Sequence, residues 1–142
     1  MRDQSDLTLV LDIGKSNAKL VLIDAAGRVN ARHVQPNRSL RPNGTEPAYG
    51  ALDVEALQAW FLDTVPRLQD RGAVRRISIT THGAAFCGVN DNGLVLPPVD
   101  YEWDGYGELA RHHALAVDDY ANTGSPNLPL GLNASLQLHW LL

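Results

Sequence analysis

Asp12, Gly14, Lys15, Ser16, Asn17 and Lys19 fall within eight residues of the stretch LVLDIGKSNAKLVLID, positions 9–24. Together they offer a carboxylate, two ammonium groups, a hydroxyl and a glycine that lets the backbone approach a ligand closely. Successive N–H groups from Gly14 to Asn17 can form an anion-binding concavity. Asp12 can hold a Mg2+ that bridges phosphates. The chemistry on offer is phosphate chemistry. The triplet Gly14-Lys15-Ser16 looks like the tail of a P-loop, but that motif needs a glycine five positions earlier and a helix straight afterwards. Leu9 stands at the earlier position, and the strand-like Lys19-Leu20-Val21-Leu22-Ile23 follows, so a Walker A loop is excluded. The plainer alternative for the same residues is a polar β-turn with an incidental carboxylate.

Two other constellations carry polar chemistry. Thr80-Thr81-His82-Gly83 follows a short apolar strand, and polar groups at strand ends are where α/β sheets bind ligands. His82 can hydrogen-bond a hydroxyl-rich substrate, or it can be an ordinary loop histidine. In Asp100-Tyr101-Glu102-Trp103-Asp104, carboxylates can accept from vicinal hydroxyls while an aromatic face covers the C–H side of a sugar ring. The same residues also describe an acidic exposed loop with Trp103 tucked into the core. His33, His112, His113 and His139 show no ligand spacing, and the adjacent His112 and His113 point to different faces of a helix. With Cys87 the single cysteine, neither an internal disulfide nor a cysteine-based metal site is open to the chain.

The elements that must position these groups read as follows. Leu7–Leu11 and Lys19–Ile23 are strands joined by the glycine-containing turn, and a third strand spans Arg28 to Val34 after the turn Asp24-Ala25-Ala26-Gly27. Residues 35–50, with Pro36, Pro42 and Pro47, read as a loop. Asp53 to Leu68 is the clearest helix, with Asp53 as N-cap, Leu57, Trp60, Phe61, Val65 and Leu68 at helical spacing, and Pro66 near its end. Val74 to Thr80 is a strand. Phe86–Val89 and Leu94–Leu96 flank the hairpin signal Asn90-Asp91-Asn92-Gly93. An irregular loop over 97–107, a helix over Glu108–Val117, a loop through Leu130 and a helix from Asn133 complete the chain. The order β-β-β-α-β is that of half an α/β domain. A chain stopping on Leu138, Trp140, Leu141 and Leu142 with no C-cap reads as a fragment.

The 142 residues are 44% hydrophobic and 20% charged, which allows one globular domain with a real core. Twelve basic against sixteen acidic residues give a net charge of −4 with no basic cluster, which argues against nucleic acid as a partner. No apolar run approaches membrane-spanning length. The polar start Met1-Arg2-Asp3-Gln4-Ser5-Asp6 shows no signal peptide, so a cytoplasmic location is the default.

Taken in order, these pieces resemble the opening of the FGGY family of carbohydrate kinases, in the sugar kinase–Hsp70–actin superfamily. LDIGKSNAKLVLID is similar to the superfamily's first phosphate motif, D-x-G-T-x-x-x-K followed by an apolar strand. ISITTHGAAFCGVNDNGLVLPPVDYEWDG resembles a strand ending in a small-polar-His-Gly element, then a hairpin and an aromatic-acidic loop. LPLGLNASLQLHWL resembles a later segment whose helix carries L-x-W-L. The resemblance implies a ribonuclease H-like, actin-like ATPase fold. It covers an incomplete N-terminal portion with a mixed sheet and flanking helices, the whole chain 1–142 being part of a first domain.

The resemblance also implies roles. Asp12 would help hold Mg2+ and the ATP phosphates, with Gly14, Lys15, Ser16, Asn17 and Lys19 lining the phosphate turn. Thr81, His82 and Gly83, with Tyr101, Glu102 and Asp104, would lie on the sugar side of a cleft. The implied substrate is a ketose such as rhamnulose, fuculose, xylulose or ribulose, and the full-length protein could form a homodimer. Lys15 departs from the usual threonine, which passes the hydroxyl to Ser16. Trp103 and Asp104 are adjacent where the family often has W-x-D-x-R, with Tyr106 near the arginine position. The catalytic base would lie beyond residue 142 and the adenosine pocket in a second domain, so these residues alone are expected not to phosphorylate sugar. A non-catalytic sugar- or nucleotide-binding module on the same fold is the competing reading. An actin-like or chaperone-like ATPase is disfavoured by the acidic-aromatic loop.

Overall fold

Alternating burial along two largely apolar strands builds the first hairpin. In the computed structural model, which describes residues 6–40 and 49–142, Leu7–Ile13 (β1) and Asn17–Ile23 (β2) pair antiparallel with Asp12 opposite Lys19. Successive strand residues point to opposite faces. Leu7, Leu9, Leu11, Leu20 and Leu22 are therefore buried on one face, and Asp12 and Lys19 stand on the other. Asp24 makes the next turn, its carboxylate accepting from the amides of Ala26 and Arg28, and Val29–Pro36 (β3) follows.

The remaining elements are Ser39–Leu40 (β4), Ala51–Leu52 (β5), Val54–Thr64 (α1), Val74–Thr81 (β6), Gly88–Asn90 (β7), Gly93–Leu96 (β8), Glu108–Ala116 (α2), Tyr120–Thr123 (α3) and Ala134–Leu141 (α4). They form two compact units. One comprises β1–β3, α1 and β6; the other comprises β4, β5, β7, β8 and α2–α4.

In the first unit the sheet order is β3-β2-β1-β6, with β6 parallel to β1 and the other pairs antiparallel. This is the mixed sheet the family resemblance implied. Asp53 caps α1, its carboxylate accepting from Ala56 N–H at 2.9 Å. Trp60, Phe61 and Val65 pack with Leu68 on the leucine face of the sheet. The α-helix ends at Thr64 rather than running to Leu68, because Pro66 has no N–H to donate, and the chain continues as a 3-10 turn over Val65–Arg67. On β6, Ile77 and Ile79 lie in register with Leu9 and Leu11 and are 64% and 65% exposed.

In the second unit, Tyr49, Ala51, Val99, Tyr106 and Leu136 form the core, with Trp103, Leu109, Ala110, Trp140 and Leu141 against it. Two expectations are corrected. The stretch 35–50 is not all loop: β3 runs to Pro36, and Ser39–Leu40 pairs with Ala51–Leu52. Pro42 and Pro47, like the polar residues 1–5, lie outside the described residues. The loop before Leu130 contains the one-turn α3, capped by Asp119 and closed by Gly124 in the left-handed conformation at φ +64°.

Candidate functional site

The β1–β2 turn is held closed from within and from one side. Gly14 N–H donates to Asn17 O at 2.9 Å. A Cβ at position 14 would come within 3.1 Å of that same oxygen, so glycine is what lets the chain fold back so tightly. The bond also removes Gly14 from the set of amides expected to face an anion. From the side, Asn37 donates twice, its Nδ2 to Gly14 O at 2.6 Å and its backbone N–H to Ser16 O at 2.9 Å. Ser16 is exposed, and Lys15 and Asn17 are half-buried. On the face away from the leucine core, Lys19 Nζ donates to Asp12 Oδ2 at 2.9 Å.

The register of β1 and β6 sets Asp12 beside Thr80 and Ile13 beside Thr81. The phosphate-type turn and the Thr81-His82 element therefore leave neighbouring carboxyl ends of one sheet, where open α/β sheets place their ligands. His82 is half-buried. Among the described residues no group of three or more His, Cys, Asp or Glu could hold a metal ion. A single half-exposed carboxylate fits Mg2+ all the same, since that ion keeps several waters and is bound through one or two carboxylates plus substrate phosphates.

The acidic-aromatic loop belongs to the second unit, whose longer segment starts at Gly83. Asp100 is buried and builds the loop. Its carboxylate accepts from Ser39 Oγ and from Glu102 N–H, its N–H donates to Gly50 O at 2.7 Å, and its carbonyl accepts from Trp103 N–H at 2.8 Å. Tyr101 O accepts from Gly131 N–H at 2.9 Å, while Glu102 and Asp104 are exposed. Trp103 packs edge-on against Tyr106, Trp140 and Tyr49, at centroid distances of 4.8, 4.7 and 6.4 Å. The ring is thus part of the aromatic core, and the reading of it as a sugar platform gives way. Gln137 is fully buried, and its Nε2 donates to Ala84 O at 2.7 Å and to Gly131 O, tying the chain after Gly83 to the approach to α4.

Tyr106 is buried, and burial first, then the negative charge of Asp100, pushes its phenol up to about 12. Its hydroxyl has no hydrogen-bond partner among the described residues. A folded-state value above the unfolded 10.0 means the contribution is fully present below pH 10 and is lost as pH rises towards 12. About 2 kcal/mol should disappear across that window. Urea unfolding at pH 9 to 12 should show the extra slope in the unsubstituted protein and not in Tyr106→Phe; equal slopes would refute it.

The turn residues Asp12, Gly14, Lys15, Ser16, Asn17 and Lys19 and the strand end Thr81-His82 are thus gathered in the first unit. Gly83, Tyr101, Glu102 and Asp104 belong to the second. Sequence reasoning missed Asn37 and Gln137. Asn37 sat in a stretch taken for loop, and a glutamine on an apolar helix carries no periodic signal.

The mixed sheet with its flanking helix matches the actin-like ATPase fold found in solved carbohydrate kinases. A carbohydrate kinase from Novosphingobium aromaticivorans matches with 36% identity and a TM-score of 0.84 over 94% of this chain and 28% of its own. A xylulose kinase from Rhodospirillum rubrum matches at 18% identity and TM-score 0.73, over 95% of this chain and 29% of its own. A glycerol kinase from Plasmodium falciparum, solved with ADP, matches at 11% and 0.71, over 96% of this chain and 28% of its own. The chain thus spans 28–29% of the length of these structures. No family model and no curated protein matches it.

Proposed function

We propose that this chain is the N-terminal part of the first domain of an ATP-dependent carbohydrate kinase acting on a ketose. The observation that carries the reading is the β1–β2 turn, which sets a carboxylate, two lysines and backbone amides at the carboxyl edge of the sheet. The 36% identity to a carbohydrate kinase supports it.

In this reading the amides of Lys15, Ser16 and Asn17 and the ammonium groups of Lys15 and Lys19 receive the ATP phosphates, and Gly14 makes room for them. Amides fixed in advance need no reorganisation when charge develops on the transferring phosphoryl group. Asp12, whose Oδ2 accepts from Lys19, would hold Mg2+. When bound, the ion supplies charge neutralisation between the phosphates. Thr81, His82, Gly83, Tyr101, Glu102 and Asp104 donate to and accept from sugar hydroxyls. In this reading the general base that deprotonates the attacking hydroxyl lies beyond residue 142, so the 142 residues alone should not phosphorylate sugar.

The test is coupled ADP release by the complete reading frame with Mg-ATP, offering rhamnulose, fuculose, xylulose and ribulose in turn. ADP release with at least one ketose, and none from the 142-residue chain, is expected. Turnover by the short chain would refute the placement of the base. ATP binding without turnover of any sugar by the complete protein would favour a regulatory binding module.

A further inference from the structure

We infer that Asn37 is a positioning residue for the phosphate turn, fixing which way its peptide groups face; the inference rests on the reading of that turn as the ATP phosphate site. An anion at a four-residue turn meets the turn's peptide groups. Each peptide unit presents either an N–H, which attracts phosphate, or a C=O, which repels it. A turn free to rotate its peptide planes samples both. Here Asn37 engages two of the units involved. Its Nδ2 donates to Gly14 O at 2.6 Å and its backbone N–H donates to Ser16 O at 2.9 Å.

In a planar trans peptide the N–H and C=O point in opposite directions. Anchoring Gly14 O on Asn37 therefore directs Lys15 N–H away from Asn37, and anchoring Ser16 O does the same for Asn17 N–H. A third carbonyl, Asn17 O, is taken by Gly14 N–H at 2.9 Å. Three carbonyl oxygens that would oppose a phosphate are thus occupied, two of them by one residue from outside the turn. Neither bond needs a particular nucleotide base or sugar, so the effect should be confined to phosphate recognition.

The position also explains why an asparagine serves. It follows directly on β3, whose Pro36 is in register with Asn17, so the backbone bond extends the β2–β3 ladder by one step. A carboxamide then reaches the turn with a donor, and a carboxylate of the same size would present only acceptors to Gly14 O.

The experiment compares the complete protein with Asn37→Ala and Asn37→Asp, titrating each calorimetrically with Mg-bound non-hydrolysable ATP and with adenosine. Both variants are expected to bind the ATP analogue about tenfold more weakly, equivalent to about 1.4 kcal/mol, with adenosine affinity unchanged. Lowering the pH until the new carboxyl of Asn37→Asp is protonated restores a donor and should recover part of the loss, a response a merely structural role would not give. Equal weakening for analogue and adenosine, or unchanged affinity for both, would overturn the positioning role while leaving the phosphate site standing. Should the unsubstituted protein bind neither ligand, the phosphate-site reading itself fails, and this inference with it.

Discussion

Asp12→Ala should lower kcat of the proposed kinase by about 10²- to 10³-fold, the range seen when one electrostatic contact to developing charge is deleted. The expectation comes from what the carboxylate does and does not do in the fold. It lies on the face of β1 away from Leu9 and Leu11, its side chain is 38% exposed, and its partner Lys19 is 34% exposed. An ion pair that open to water is worth about 0–1 kcal/mol, so removing it should hardly change folding. The effect on turnover should instead reflect losing the charge that holds Mg2+ against the phosphates and the anchor that aims Lys19. Asn in place of Asp keeps the shape but gives up the charge, and should cost nearly as much as Ala. Steady-state kinetics at saturating Mg-ATP, set beside urea unfolding of the same variants, separates the two roles. A threefold or smaller change in kcat accompanied by a large loss of stability would show a structural carboxylate and withdraw Asp12 from the site.

How much of this was legible in the sequence follows from the range over which each feature is determined. The β1–β2 hairpin was readable because alternating leucines and a polar glycine turn are both local, and α1 because Asp53 announces its start. The end of α1 came out early because Pro66 acts through a missing donor, which pattern alone flags without locating. β4 and β5, at two residues each, are too short to have a period. Asn37 escaped notice because its partner lies 23 positions away, across two strands. The direction of Trp103 was open because an aromatic ring among acids has the same composition whether it faces a ligand or the core. One local sign did exist. A Cβ at Gly105 would come within 2.1 Å of the Trp103 ring, so glycine two positions on leaves the space into which the ring folds.

Trp103 supplies the second large effect. Trp103→Ala should destabilise the protein by about 3 kcal/mol, the lower end of the cost of truncating a packed tryptophan to alanine. The ring is half-buried rather than enclosed, which keeps the figure at that end. Three edge-on neighbours, Tyr106, Trp140 and Tyr49, each contribute beyond simple burial, about 0.5–1.5 kcal/mol per aromatic pair. Trp140 also packs edge-on against Tyr49 at 5.2 Å and Tyr106 at 6.1 Å, so the cluster should loosen as a group, with α4 losing part of its seat. Trp103→Phe, which keeps a ring with less reach, should cost less than the alanine variant. Urea unfolding followed by far-ultraviolet circular dichroism avoids the fluorescence that the substitution itself removes. If the ring were a sugar platform instead, the alanine variant would unfold at nearly the same urea concentration and the loss would appear in KM for the sugar. The midpoint of that one curve decides between a packed ring and a binding face, because burial acts on the folded state with or without a ligand.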